Sequence, residues 1–137
     1  KEYQPDNNRS QLITRGELRI IMDAYNANPT SMQASIQSFI SGNEGKKYLI
    51  LGDMLELGDY ADKEHSEILE LLSSSKLNDV FLVGSVFSKT AKNSSFKTFD
   101  NVAALISFLE KKAIKNGNIL IKGSRGIQLE KVLEYLN

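Results

Sequence analysis

Four short, largely apolar runs mark the positions at which the sequence predicts β-strands. Each run is only a few residues long and is flanked by polar or glycine residues, which is typical of strands buried on both faces of a sheet. The runs are Leu18 to Met22, Tyr48 to Leu51, Val80 to Val83 and Ile119 to Ile121.

Between and after these runs, mostly apolar residues recur three or four positions apart, which places them on one face of a helix. The four predicted faces are Met32, Ile36, Phe39 and Ile40; His65, Ile68, Leu69 and Leu72; Val102, Leu105, Ile106 and Leu109; and Leu129, Val132, Leu133 and Leu136. Asp100 is the predicted N-cap of the third helix, because an aspartate there can accept from the first turn.

The start of the chain predicts a β-hairpin. Residues 11 to 14 form one strand, Arg15-Gly16 forms the turn, and the second strand begins at Leu18. After this antiparallel edge hairpin, strands and helices alternate. That order predicts a Rossmann-like α/β fold, with a mainly parallel sheet and helices on both of its faces.

Length and composition fit one domain covering residues 1–137. Seventeen basic and seventeen acidic residues cancel, which argues against a nucleic-acid or anionic-membrane partner. The absence of cysteine excludes disulfides, thiolate metal sites and a cysteine nucleophile. No apolar run approaches the ~18 residues of a membrane span. Because the first residue is Lys1 rather than methionine, we expect the chain to be a piece of a larger protein.

Polar and glycine-containing segments follow each of the four predicted central strands. In an open α/β sheet, ligands bind outside the carboxyl ends of the strands, so these segments should share one edge, here called the rim. The segments are DAYNANP at 23–29, GDMLELG at 52–58, GS at 84–85 and KGSRG at 122–126.

The first rim segment combines a helix start with several further polar groups. Asn28 followed by Pro29 is typical of a helix N-terminus, but that role does not explain Asp23, Tyr25 and Asn26. A carboxylate at a strand end can accept from both hydroxyls of a ribose, and an aromatic ring and amides suit a purine. The alternative is that Asp23 only forms a turn.

The last rim segment, KGSRG, places an ammonium, a hydroxyl and a guanidinium where a strand gives way to a predicted helix. A helix N-terminus favours an anion at this position. The alternative is a tight glycine turn with solvated Lys122 and Arg125. Neither a Walker A motif nor G-x-G-x-x-G occurs in the chain.

The second rim segment carries Asp53 and Glu56, which are either a catalytic carboxylate pair or ordinary turn residues. His65, the only histidine, lies on the apolar face of its predicted helix. It is therefore predicted to be a packed core residue, and a histidine-based metal site is not expected.

Taken together, four motifs resemble those of a known family. DAYNANPTSM at 23–32 closely resembles a signature of the Mur ligases, the ATP-dependent enzymes that build the peptidoglycan stem peptide. NNRSQ at 7–11, LGDMLELG at 51–58 with His65 after it, and KGSRG follow in the right order. They resemble markers of the branch that adds D-alanyl-D-alanine to UDP-N-acetylmuramoyl-tripeptide. The resemblance covers nearly the whole chain and implies the last of three domains.

The resemblance also implies a divided active site. A first domain would hold the UDP-sugar, and a central P-loop domain would hold the ATP phosphates and Mg2+. The C-terminal domain would close over both, so that the dipeptide amine attacks an acyl phosphate. We expect the isolated domain to be inactive, and the whole enzyme to be cytoplasmic and monomeric.

Site residues follow from the same resemblance, position by position. It implies that Asp23 holds the ATP ribose, that Arg9 reaches an ATP phosphate, and that the adenosine side is lined by Tyr25, Asn26 and Asn28. For the dipeptide it implies Lys122, Ser124, Arg125, Asp53 and Ser85. The rival interpretations are a stand-alone nucleotide- or anion-binding module and a purely structural or interaction domain.

Overall fold

The computed structural model describes residues 10–24, 26–77 and 79–136. Within them, six strands form one mixed sheet in the order β1-β2-β6-β3-β4-β5. The strands are β1 Gln11–Arg15, β2 Glu17–Asp23, β3 Lys47–Gly52, β4 Asp79–Val83, β5 Lys97–Phe99 and β6 Asn116–Lys122. The four predicted central strands are confirmed; β5, only three residues long, was not predicted.

Four α-helices connect the strands: α1 Pro29–Gly42, α2 Ala61–Ser73, α3 Ser85–Thr90 and α4 Val102–Lys111. Short 3-10 helices cover Gly58–Tyr60, Arg125–Ile127 and Leu129–Tyr135. The predicted α/β fold, with helices on both faces of a mainly parallel sheet, is confirmed.

The predicted N-terminal hairpin is also confirmed. β1 and β2 are antiparallel, with Gln11 opposite Met22 and Arg15 opposite Leu18. Gly16 forms the turn with a φ of 57°, a left-handed conformation that glycine adopts without steric cost. The remaining pairings in the sheet are parallel.

The path of the chain explains why both faces of the sheet are covered. From β2 to β5 the chain moves in one direction across the sheet, and α1, α2 and α3 pack on one face. It then returns to insert β6 between β2 and β3, which puts α4 on the opposite face because crossovers are right-handed. Leu49 and Leu51 contact the first layer, whereas Ile50 contacts the second.

Two sequence predictions are wrong in detail. Asn101, not Asp100, caps α4: its side-chain oxygen accepts from Ala104 N at 3.0 Å. Both residue types cap well, so the position of the first helical turn decides between them. The fourth predicted helical face forms the 3-10 helix Leu129–Tyr135, because the three-residue spacing of Leu129 and Val132 suits either helix type.

Candidate functional site

The last residues of β2 and β6 form a buried ion pair. Asp23 and Lys122 are partners in the parallel register, so both side chains point to the face that carries α1. Lys122 Nζ donates to Asp23 Oδ2 at 2.7 Å, and the two side chains are 2% and 11% exposed. The alternative in which Lys122 is solvated is therefore wrong.

The same ammonium also reaches the loop that follows β2, since Lys122 Nζ donates to the Asn26 carbonyl at 3.2 Å. Ser10 Oγ lies 3.4 Å from Asp23 Oδ2, a long hydrogen bond. No donor among residues 10–24, 26–77 and 79–136 bonds to Asp23 Oδ1. A carboxylate oxygen can accept two hydrogen bonds, so the described residues leave the acceptor capacity of Oδ1 unused.

The loop between Asp23 and α1 ends in the predicted helix cap. Asn28 Oδ1 accepts from Ser31 N at 2.8 Å, and Ser31 Oγ accepts from Asn28 N at 3.1 Å, which completes a capping box ahead of α1. The capping role is confirmed. Asn26 and Asn28 are both exposed, whereas Tyr25 and Arg9 lie outside the described residues.

Asp53, at the end of β3, is committed to a different structure. It is 2% exposed, and its carboxylate accepts from Val86 N and Phe87 N, each at 2.9 Å. These amides are at the start of α3, so Asp53 caps a helix that begins 32 residues later in the chain (85 − 53). A Cβ at Gly84 would lie 2.3 Å from Asp53 Cγ, which requires glycine there.

His65 contacts the turn that follows Asp53. It is fully buried, as predicted. Its Nε2 accepts from Met54 N at 3.0 Å, and its Nδ1 lies 2.7 Å from the Ala61 carbonyl. These partners fix a neutral ring with the proton on Nδ1. Although His65 Nε2 is 3.9 Å from Asp53 Oδ1, it carries no proton and makes no salt bridge.

The ends of β3 and β6 are locked together at the rim. Ser124 N donates to the Asp53 carbonyl at 3.1 Å, and Ser124 Oγ accepts from Leu55 N at 2.8 Å. The backbones approach so closely that a Cβ at Gly123 would lie 2.8 Å from Gly52 Cα. The Ser124 hydroxyl therefore has a fixed position and keeps its own proton for donation.

A cavity of about 460 Å³ opens between these segments and is called the rim cavity here. It brings Asn26 together with Ser124 and Arg125, whereas Asp53 and Ser85 do not line it. The full lining is Asn26, Ala27, Leu55, Glu56, Ser124, Arg125 and Gly126.

At the rim one expectation is wrong, and one of two open alternatives is not supported. Arg125 begins a three-residue 3-10 helix that ends at the left-handed Gln128, with φ 63°, so no α-helix N-terminus faces an anion here. Asp53 and Glu56 have unlike surroundings: the first is buried against α3, and the second is exposed at the cavity with a φ of 67°. The structure does not arrange them as a matched pair.

Residues 8–125 match the model of one protein family, described as the Mur ligase, glutamate ligase domain. The chain belongs to the Mur ligase family.

Curated Mur ligases of one type are similar to this chain. The UDP-N-acetylmuramoyl-tripeptide–D-alanyl-D-alanine ligase of Bacillus subtilis is 41% identical over 138 residues, covering 93% of this chain and 30% of the relative. The ligase of the same name from Rickettsia prowazekii is 34% identical over 131 residues, covering 93% and 29%. The chain therefore spans about 30% of the length of these relatives.

Solved structures of Mur ligases share the fold. MurF from Acinetobacter baumannii has a TM-score of 0.83 and 31% identity, covering 97% of this chain and 30% of that one. MurF from Thermotoga maritima in complex with ADP has a TM-score of 0.77 and 27% identity, covering 97% and 31%. The resemblance read from the four motifs is confirmed.

The ion pair is the main feature of this Mur ligase domain that sequence reasoning missed. Asp23 and Lys122 were assigned separately, one to the nucleotide and the other to the dipeptide. The sequence shows only that each is the first charged residue after a buried run; that the two strands are neighbours is known from the structure alone. The apolar cavity residues Ala27 and Leu55 gave no comparable signal.

Among the described residues, no group of three or more His, Cys, Asp or Glu side chains is placed to hold a metal ion. Within the same residues, no helix has the length and apolar character needed to cross a bilayer.

Proposed function

We propose that this chain is the C-terminal domain of an ATP-dependent ligase. The whole enzyme would add D-alanyl-D-alanine to UDP-N-acetylmuramoyl-tripeptide through an acyl phosphate, during peptidoglycan synthesis in the bacterial cytoplasm. Similarity to bacterial ligases of that name supports this proposal, as does the similar MurF solved with ADP. Because the chain spans about 30% of those relatives, the UDP-sugar and P-loop functions belong to the rest of the enzyme.

The Asp23 carboxylate is the observation that carries the proposal. One of its oxygens is held by Lys122 at 2.7 Å, and the other has no donor among the described residues. It lies at the carboxyl end of a central strand, where α/β sheets bind ligands. We assign this oxygen to the ribose hydroxyls of ATP, with Asn26 and Asn28 on the adenosine side. Tyr25 and Arg9 keep their sequence-based nucleotide assignments.

The rim cavity provides the dipeptide site in this proposal. D-Alanyl-D-alanine must keep its amine free to attack, so the protein can hold only its carboxylate, methyl groups and peptide bond. Arg125 suits a carboxylate through a bidentate fork, and Ser124 has a hydroxyl proton to donate. Leu55 and Ala27 supply apolar surface for the methyl groups. Ser85 is exposed at the start of α3 and remains a further candidate.

Mg2+ usually binds to one or two carboxylates together with substrate phosphates, and the described residues of this domain offer no group of three or more His, Cys, Asp or Glu side chains for a metal ion. In this proposal Mg2+ and the ATP phosphates are assigned to the central domain, as the family resemblance implies. This division explains why we expect the isolated domain to bind ATP weakly and to catalyse nothing.

The proposal is tested in the full-length ligase with Asp23→Asn, which removes the charge but keeps the shape of the side chain. We expect KM for ATP to rise about tenfold or more, since a charge-assisted hydrogen bond to a non-reacting group is lost. KM for D-alanyl-D-alanine should stay within about twofold of wild type. Phosphate release at varied concentrations of each substrate gives both values.

Asp62→Asn is the matched control, because Asp62 is an exposed aspartate paired with Lys89 away from the rim cavity. It should leave both KM values unchanged. An unchanged KM for ATP in Asp23→Asn would remove the ribose role and leave Asp23 only as the ion-pair partner of Lys122.

A second experiment separates the ligase from a stand-alone nucleotide-binding module. The 137-residue chain is mixed with ATP, Mg2+, UDP-N-acetylmuramoyl-tripeptide and D-alanyl-D-alanine, and phosphate release is followed. No turnover above background is expected, because the phosphate-binding parts are absent. ATP binding of micromolar or tighter affinity, measured by calorimetry, would favour the module instead.

A further inference from the structure

We infer that Lys122 is a positioning residue for ATP: its ammonium fixes the Asp23 carboxylate and the loop after β2 in the geometry that receives the ribose. This inference rests on the proposed function. It differs from the sequence-based expectation, which placed Lys122 in the dipeptide site.

Lys122 is anchored at one of the most constrained points of the rim. It ends β6, which lies between β2 and β3 in the sheet. The next residue, Gly123, packs against Gly52 so closely that no Cβ fits between them. This close packing restricts movement of the strand end from which the Lys122 side chain projects toward Asp23 on β2.

Its ammonium then binds two groups that define the nucleotide side of the rim. One is Asp23 Oδ2 at 2.7 Å, and the other is the Asn26 carbonyl at 3.2 Å. The first contact fixes the direction in which Oδ1 points, and the second holds the loop from which Asn26 and Asn28 project. A single cation therefore orients both the carboxylate and the amide groups assigned to ATP.

The position of Lys122 argues against direct contact with the dipeptide. Its side chain is 2% exposed and does not line the rim cavity, although Ser124 and Arg125 do. A dipeptide carboxylate that reached Nζ would have to compete with Asp23 for the same ammonium. Leaving Asp23 buried without its cation would be strongly unfavourable.

A second lysine–aspartate pair provides a matched control at the other end of the sheet. Lys97 Nζ lies 3.0 Å from Asp79 Oδ2, where β4 and β5 begin, and the two side chains are 39% and 30% exposed. It has the same chemistry as the Asp23–Lys122 pair but lies at the opposite end of the strands.

The test uses the full-length ligase and measures KM for ATP, for ATP analogues lacking the 2′- or 3′-hydroxyl, and for D-alanyl-D-alanine. The variants are Lys122→Met, Asp23→Asn, the double variant and Lys97→Met. In the wild-type ligase, KM should be about tenfold lower for ATP than for the poorer analogue, and this ratio is called the preference for ATP. Lys122→Met should lose most of that preference while its dipeptide KM stays within about twofold, and Lys97→Met should keep the preference.

A merely structural role for Lys122 would lower the amount of active enzyme without changing the preference between ATP and its analogues, and that result overturns the inference. A rise in KM for D-alanyl-D-alanine in Lys122→Met also overturns the inference, because it would indicate that Lys122 binds the dipeptide carboxylate directly. If instead Asp23→Asn keeps the wild-type preference, the proposed ribose contact itself fails.

If Lys122→Met does not fold, the double variant decides, because neutralising both partners leaves no unpaired buried charge. If Lys122 acts only through Asp23, replacing Lys122 should not change KM for ATP any further once Asp23 is neutral. Equal ATP KM values for Asp23→Asn and the double variant support the inference. A further several-fold rise in the double variant overturns it.

Discussion

Two aspartates at the ends of central strands show how differently a buried carboxylate can be used. Asp23 and Asp53 are 8% and 2% exposed, and each lies where a parallel strand meets the rim. Asp53 accepts from two backbone amides of α3, whereas one oxygen of Asp23 has no donor among the described residues. The partners of a buried carboxylate, rather than its burial, identify the one that can bind a ligand.

The difference has a physical consequence for mutations. The amides bonded to Asp53 are fixed in the backbone, so a ligand could use that carboxylate only by uncapping α3. The described partners of Asp23 are side chains, and both contact the same oxygen. Changes around Asp53 should therefore lower stability, and changes around Asp23 should alter substrate use.

The largest effect is expected for Gly84→Ala. Its Cβ would lie 2.3 Å from Asp53 Cγ, at a φ of 126° that residues other than glycine rarely adopt. The clash and the backbone strain together should lower the free energy of unfolding by about 3–5 kcal/mol. Urea denaturation of the 137-residue chain measures this loss.

Gly16→Ala is the control for backbone strain alone, since φ is 57° and a Cβ there would meet nothing within 4 Å. It should cost about 1–2 kcal/mol. Equal losses for the two variants would show that contact with Asp53 is not what requires glycine at position 84.

Asp53→Ala is expected to have the next largest effect. It leaves the amides of Val86 and Phe87 without their acceptor, and it should lower the free energy of unfolding by about 2–4 kcal/mol. Asp62→Ala removes an exposed partner of Lys89 and should cost less than about 1 kcal/mol. A stable Asp53→Ala protein with weakened dipeptide use would instead place Asp53 in the substrate site.

In the full-length ligase, Arg125→Lys and Ser124→Ala should raise KM for D-alanyl-D-alanine by about three- to thirtyfold. Lysine keeps the charge but loses the bidentate fork, and alanine removes the hydroxyl. KM for ATP should change little in either variant. Paired saturation curves for the two substrates test this prediction. A rise in KM for ATP instead would mean that the dipeptide carboxylate binds at another part of the rim, with Ser85 the next candidate.

The smallest effect distinguishes capping from nucleotide contact at Asn28. Asn28→Ala and Asn101→Ala each remove a helix cap and should each cost about 1 kcal/mol of stability. In the full-length ligase, only Asn28→Ala should also raise KM for ATP, by about two- to threefold, through a weak neutral hydrogen bond. Equal ATP kinetics in the two variants would leave Asn28 as a cap alone.

The sequence alone predicted the N-terminal hairpin, the four central strands, their rim and the capping role of Asn28, because these depend on local patterns of apolar and polar residues. The Asp23–Lys122 pair could not be predicted in this way. Its members are 99 positions apart and meet only because β6 lies beside β2. No local pattern records which strands are neighbours in a sheet.

The role of Asp53 was missed for a related reason. Its partners belong to α3, a six-residue helix with a single buried residue, Phe87. A helix of this length is too short to show a periodic apolar face. The resemblance to Mur ligases supplied residue roles that periodicity could not, but it did not reveal which side chains are already bonded to the protein.

The position of β6 also constrains how the domain is made on the ribosome. β6 is the last described strand in the sequence, yet it lies between β2 and β3. Until residues 116–122 leave the exit tunnel, β1–β2 and β3–β4–β5 are separate pieces with unpaired inner edges. Nascent chains at this stage are exposed to edge-to-edge association, and closing the sheet requires slow, long-range pairing. The Asp23–Lys122 ion pair therefore forms only when translation of the sheet is complete, since Lys122 is the last residue of the strand that closes the sheet.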